Sequence, residues 1–227
     1  MCSRFNLIDS PEVRRLCGNL GIGMSVRHLS QDIAPGGRIG IAHISGGVRK
    51  VSEAIWWLFL DHETLKPNYK YASFNSRSDK LFTRRSIAYT PFRESRCIIP
   101  ASAFVEGLGD KKTYHKIELE DSAIAFGGLY KEYINSETGE AVHAASVITL
   151  PPLSPQWDNI HPKSMPLMLD VEDVALMEKW LDPSFREVEN FKDILKPKII
   201  MPIKVTKICR PSNWDPIDDS FIIRVEA

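Results

Sequence analysis

Between residues 11 and 20, apolar side chains recur at helical spacing: Val13, Leu16, Cys17 and Leu20. Ahead of them, Asp9-Ser10-Pro11-Glu12 supplies a capping hydroxyl and a proline whose fixed φ suits a first turn. A helix is predicted near 11–20. Beyond it, short apolar runs at 38–44, 54–60, 97–105, 123–129, 145–150 and 198–203 are separated by Gly, Pro, Asn and Asp. That is the punctuation of strands joined by turns. Helical spacing returns over about 171–181, through Val174, Leu176, Met177, Trp180 and Leu181, and again near 185–195. Two strands, 204–210 and 221–225, close the chain. Strands and helices do not alternate strictly, so the pattern predicts an α+β fold with a central antiparallel, barrel-like sheet and flanking helices. No repeat, low-complexity tract or linker interrupts it. At 227 residues and 43% hydrophobic content, one domain over 1–227 is expected.

No stretch approaches the roughly 20 uninterrupted apolar residues of a membrane span. Met1-Cys2-Ser3-Arg4-Phe5-Asn6 lacks the apolar segment of a signal peptide, so a cytoplasmic protein is expected. Cys2, Cys17, Cys97 and Cys209 are scattered without CxxC pairing, which points to reduced thiols rather than a disulfide framework or a zinc knuckle. No cofactor and no metal are predicted. Lys+Arg 29 balances Asp+Glu 29, so any attraction for nucleic acid has to be local. From 68 to 98, Lys70, Arg77, Lys80, Arg84, Arg85, Arg93 and Arg96 stand against only Asp79 and Glu94, a local 7 − 2 = +5. Tyr69, Tyr71, Phe74, Phe82, Tyr89 and Phe92 are interleaved with them. Bases of single strands stack on such rings at ~1–3 kcal/mol each. A solvated loop with ordinary core aromatics has the same composition.

Walker A, GxGxxG, HExxH and GxSxG motifs are absent, which removes the commonest nucleotide, metalloprotease and hydrolase readings. The start of the chain carries different chemistry. Removal of Met1 before a small residue leaves Cys2 with a free α-amine beside its thiol. An amine of pKa ~7.7–8.0 is partly neutral at cellular pH and attacks an aldehyde to give an imine, which the thiol then closes to a thiazolidine. A cysteine preceding a first strand is also an ordinary small residue. In Ser73-Phe74-Asn75-Ser76-Arg77-Ser78, Asn75 offers an amide to a substrate oxygen and Arg77 a guanidinium to a phosphate, unless this is a simple turn. Period-two alternation through Phe104-Val105-Glu106 puts Glu106 on the face of Phe104, where a carboxyl can exchange protons near neutrality. A solvated strand end is the plainer reading. His161 lies in the Pro-bracketed loop Asn159-Ile160-His161-Pro162-Lys163-Ser164-Met165-Pro166, suited to a proton shuttle or to a packed histidine.

Together these segments resemble the SRAP family (SOS response-associated peptidase domain), whose members process abasic sites. Met1-Cys2-Ser3-Arg4-Phe5 is similar to its MCGRF start, Asn75-Ser76-Arg77 to its NAR loop, Arg96-Cys97-Ile98-Ile99-Pro100 through Phe104-Val105-Glu106 to its RCLIPA…FYE strand, and His161–Pro166 to its HxRMP loop. The resemblance implies a compact α+β domain with a central β-barrel and a groove for single-stranded DNA. It implies Cys2 as covalent nucleophile, Asn75 positioning it and the opened sugar, Glu106 managing protons, and His161 assisting ring opening and transfer. Arg4, Arg77 and Arg85 match phosphate contacts, Thr149 a position beside the lesion, and Lys163 stands in for an arginine. Ser3 replaces a glycine, Gly107 a tryptophan that offers a stacking plane, Trp56-Trp57-Leu58 only approximates a WGL segment, and the His161 loop is one residue longer. These departures bear on DNA grip more than on chemistry.

Three functions follow as expectations. The first is covalent capture of abasic sites in single-stranded DNA through Cys2, by a monomer associated with the nucleoid when bound. The second is a cysteine-type peptidase or autopeptidase in which Cys2 acts with Glu106 and His161. The third is a non-covalent single-strand binding module.

Overall fold

The computed structural model describes residues 3–23 and 29–225. The chain opens with strand β1 (Arg4–Leu7), helix α1 (Pro11–Asn19) and strand β2 (Ser30–Ile33). A hairpin of β3 (Arg38–Ser45) and β4 (Val48–Ile55) precedes short strand β5 (Asn75–Arg77) and helix α2 (Tyr89–Glu94). Then come β6 (Arg96–Ala101), β7 (Ala103–Gly107), β8 (Tyr114–Leu119), β9 (Ile124–Ile134) and β10 (Ala141–Leu150). Strands β11 (Met165–Pro166) and β12 (Met168–Leu169), helix α3 (Val174–Leu181), and β13 (Ile203–Arg210), β14 (Asn213–Pro216) and β15 (Phe221–Ile223) complete it.

The strands form two sheets. In one, β10, β4, β3, β6 and β9 pair in that order and β9 pairs back to β10, which closes a five-stranded barrel and removes its free edges. Its seams are antiparallel except β10 on β4, where His143 lies parallel to Ala54. The other sheet runs β14-β13-β8-β7-β1-β2, with β15 on β13. The expected α+β barrel architecture is therefore present, with a second, open sheet beside the barrel.

The apolar run 97–105 does not form one strand. It breaks at Ser102 into β6, a barrel strand, and β7, a strand of the open sheet. Asn6 holds the corner: its carbonyl accepts from the Ser102 N–H at 2.9 Å and its side-chain Oδ1 from the Ala103 N–H at 2.9 Å. Phe5, beside Asn6, packs edge-on to Trp56 (4.8 Å) and Phe126 (5.9 Å), and Phe104 packs on Phe126 at 5.5 Å, so the sheets share one aromatic core.

Helix α1 matches its signal, with the Ser10 hydroxyl accepting from the Val13 N–H at 3.3 Å and Val13, Leu16 and Cys17 buried. Three further expectations fail. Residues 56–60 are buried but irregular, because Trp56 bonds outward to Gly37 and Phe74 carbonyls instead of joining a ladder. Residues 198–202 form no strand, since Pro197 and Pro202 lack the N–H groups a ladder needs. The stretch 185–195 makes only a 3-10 turn at Val188–Phe191, where Phe191 packs on Trp180 and Phe185 but no side-chain cap starts a helix. Sequence reasoning also passed over β8, β4, β14 and α2.

Gly127 on β9 marks the tightest approach in the core. Its N–H bonds the Leu167 carbonyl at 2.9 Å, and a Cβ there would stand 2.5 Å from Leu167 Cδ2 and 2.9 Å from its Cγ. Gly127→Ala is expected to lower the unfolding free energy by ~1–3 kcal/mol through overpacking. Urea denaturation reads the effect, and an unchanged midpoint contradicts it.

Candidate functional site

The register of the open sheet places Glu106. On β7 it lies directly across from His115 of β8, while Arg4 of β1 pairs with Val105. Glu106 is 2% exposed, and burial pushes its carboxyl up to about 7. The loop 151–164 then brings in His161. Buried Trp157 anchors that loop, its indole N–H donating to the Ser164 carbonyl at 3.0 Å and its own carbonyl accepting from the His161 N–H at 3.0 Å.

The His161 ring nitrogen Nδ1 lies 2.6 Å from the Gly107 carbonyl. A carbonyl only accepts, so Nδ1 carries the proton and Nε2 the lone pair. The same Nδ1 is 3.9 Å from Glu106 Oε2, too long for a hydrogen bond. Burial holds the His161 pKa below its usual value, against the opposing pull of the Gly107 bond, so the ring is neutral at pH 7. A carboxyl titrating near neutrality thus sits beside a neutral imidazole of fixed tautomer, an arrangement able to give and take protons. Both line a cleft of about 220 Å³ that Ser3 also lines. Cys2, the chain neighbour of Ser3, lies outside the described residues.

A second cleft, of about 410 Å³, gathers Arg77, Thr149 and Lys163. Parallel pairing of β5 with β10 sets Arg77 opposite Thr149 and Asn75 opposite Val147. Asn75 and Arg77 share one face of β5, while Ser76 between them turns inward to Ser146 at 2.7 Å. The segment 161–164 borders both clefts, His161 the smaller and Lys163 and Ser164 the larger. Arg77 forks onto Asp79, Nε and Nη2 each donating at 2.9 Å.

Other expected residues fall elsewhere. Arg4 donates to Asp32 at 2.8 Å. Arg85 is exposed on 81–88 and lines neither cleft. The basic and aromatic stretch 68–98 is not one surface. Arg96 is buried and donates to the carbonyls of Trp180, Phe92, Arg93, Asp182 and Phe185, tying α2 to the end of α3. Phe92 is in the core, and Arg93 stacks over Tyr89 at 3.6 Å. Lys70, Lys80, Arg84, Tyr69 and Tyr71 remain exposed. Sequence reasoning missed Tyr114, which lines the smaller cleft, and His115, buried opposite Glu106 with its ring reaching the Ile160 backbone. Their only signal was the period-two alternation that buries His115, Ile117 and Leu119. Among the described residues no three His, Cys, Asp or Glu side chains converge as metal ligands, and no helix is long and apolar enough to cross a membrane.

A closed five-stranded barrel with an open sheet at its side defines an α+β protein whose cleft holds a buried acid–imidazole pair. Residues 1–210 match the family described as SOS response associated peptidase (SRAP), and the chain belongs to that family. Membership supports a DNA-damage-associated role. The fold is similar to that of a crystallised protein from Bacteroides thetaiotaomicron, at 22% identity and a TM-score of 0.70, covering 91% of this chain and 92% of that one. It is also similar to a protein from Bordetella bronchiseptica, at 17% identity and TM-score 0.65 over 100% of both chains. A phage-related protein of the same organism gives 20% identity and TM-score 0.62 over 86% and 87%. Among curated proteins, none matches the chain.

Proposed function

We propose that this protein captures abasic sites in single-stranded DNA by forming a thiazolidine through Cys2 once Met1 is removed. The observation that carries the reading is the buried Glu106–His161 pair in a cleft lined by Ser3, the residue bonded to Cys2. In the closed sugar, His161 Nε2 takes the anomeric hydroxyl proton as the ring C–O bond breaks and passes it to the freed ring oxygen, which leaves the aldehyde beside a hydroxyl. The Cys2 amine adds to that carbon, and Glu106 in its acid form protonates the departing hydroxyl, so water leaves and an imine forms. The thiol sulfur then adds to the imine carbon and its proton passes to nitrogen, closing the ring with no redox change. Asn75 positions the opened sugar, and Arg77, Thr149 and Lys163 hold the strand, with Arg4 and Arg85 as outlying contacts. Intact-mass measurement after mixing with an abasic oligonucleotide tests this. The adduct should weigh the sum of both partners less one water, and an unmodified protein at every pH would contradict it.

The family's peptidase description supports a second reading, in which the Cys2 thiol attacks a peptide carbonyl with Glu106 and His161 as its proton partners. That chemistry needs no free amine.

Strand binding by Arg77 and Lys163 should be electrostatic. Each changed to Ala is expected to reduce the slope of log affinity against log salt by ~0.7, the single-strand value per phosphate contact. Asp79 competes with phosphate for the Arg77 fork, so Asp79→Asn should tighten binding at low salt by a few-fold and raise the slope. Fluorescence anisotropy across a salt series reads both, and a slope unchanged in all three variants contradicts this placement.

A further inference from the structure

We propose that Tyr114 is a base-stacking residue of the Glu106–His161 cleft, admitted to that position by Gly107. Tyr114 lies directly across the β7–β8 ladder from Gly107. A Cβ at residue 107 would stand 3.0 and 3.1 Å from Tyr114 Cδ1 and Cε1. The phenol ring therefore covers the space a side chain at 107 would take, and with Ser3, Glu106 and His161 it walls the cleft. Tyr114 is only half-buried, and its ring faces the cleft rather than the core of the sheets.

The hairpin that carries the ring is locked. Asp110 accepts from the Lys112 N–H at 2.9 Å, the Thr113 N–H at 2.8 Å and the Thr113 hydroxyl at 2.8 Å, and the Leu108 N–H donates to the Thr113 carbonyl at 3.0 Å. An aromatic plane beside a braced turn, at an open cleft, suits a nucleobase, which stacks without regard to sequence. An abasic nucleotide has no base of its own. The ring therefore takes the base of the adjacent nucleotide, which sets the lesion's sugar against Glu106 and His161.

This inference rests on the reading that the cleft takes abasic DNA, so its test is kept apart from the covalent step. Single strands carrying a tetrahydrofuran abasic analogue, which has no aldehyde, are bound to the full chain and followed by anisotropy. The two neighbouring nucleotides are, in turn, normal or themselves baseless. Tyr114→Ala should weaken binding at least about fivefold when the relevant neighbour has its base, and less than about twofold when it does not. Tyr114→Leu, which keeps apolar volume, should behave like Ala if Ala does not fold, and Tyr114→Phe should restore the dependence on the neighbouring base. Equal losses on all strands, no loss, or a Phe variant as weak as Ala overturns the assignment. A wild-type protein that shows this neighbour dependence yet never forms an adduct on an aldehyde-bearing site sinks covalent capture and leaves the stacking role standing.

Discussion

Cys2→Ser is expected to abolish the heat-stable adduct with abasic DNA while leaving a labile one. Serine is small enough for Met1 to be removed, so the variant keeps an α-amine able to form an imine with the sugar aldehyde. It lacks the sulfur that closes the ring. Borohydride should therefore trap the Cys2→Ser imine, and heating without borohydride should release the DNA. Non-covalent binding should persist, because Arg77, Thr149 and Lys163 line the separate, larger cleft. A heat-stable adduct from Cys2→Ser at the wild-type level would move the nucleophile elsewhere.

Glu106→Gln should slow adduct formation by about 100-fold or more, the scale of a positioned proton donor, with strand binding nearly intact. The amide keeps the shape but cannot protonate the departing hydroxyl. The wild-type rate should also report the Glu106 titration, the acid form being lost as pH rises through about 7. Stability falls in the same direction. Because the folded-state pKa is raised above the unfolded one, the native state holds a proton that the unfolded state releases between roughly pH 4.5 and 7. Wild-type stability falls across that window, and Glu106→Gln, having no charge to bury, should gain relative stability above pH 7 and none below 4.5. Rates by gel and denaturation at pH 5 and 8 give both readings. Wild-type kinetics in a folded Glu106→Gln would make this residue structural only. His161→Gln should slow the reaction similarly.

Local signals explain what was legible. The Ser10-Pro11 start of α1, the helical spacing of α3 and the strand near 204–210 all form where their own residues direct, because caps and periodicity act within a turn or two. The corner at Ser102 was not legible, since Asn6 makes it from the far end of the chain. Arg96 read as a surface cation because nothing nearby in sequence announces the five carbonyls that surround it. Glu106, His161, Arg77, Thr149 and Lys163 could be singled out by motif. That the first two share one cleft follows from the Trp157-anchored loop 151–164, and that the other three share a second from the parallel β5–β10 pairing, neither of which sequence spacing encodes. Tyr114 was hidden for the same reason, its role depending on a glycine across a ladder.

The central claim is that one residue supplies both amine and thiol, so the decisive comparison is between a protein with a free Cys2 amine and one with a non-removable extension before Cys2. Each is incubated with the same abasic single strand, heated, and weighed by mass spectrometry. Covalent capture predicts a stable adduct, less one water, from the free amine and none from the extended protein, although both retain the thiol, Glu106 and His161. A stable adduct of equal yield from the extended protein would contradict thiazolidine formation and leave the thiol peptidase as the better account.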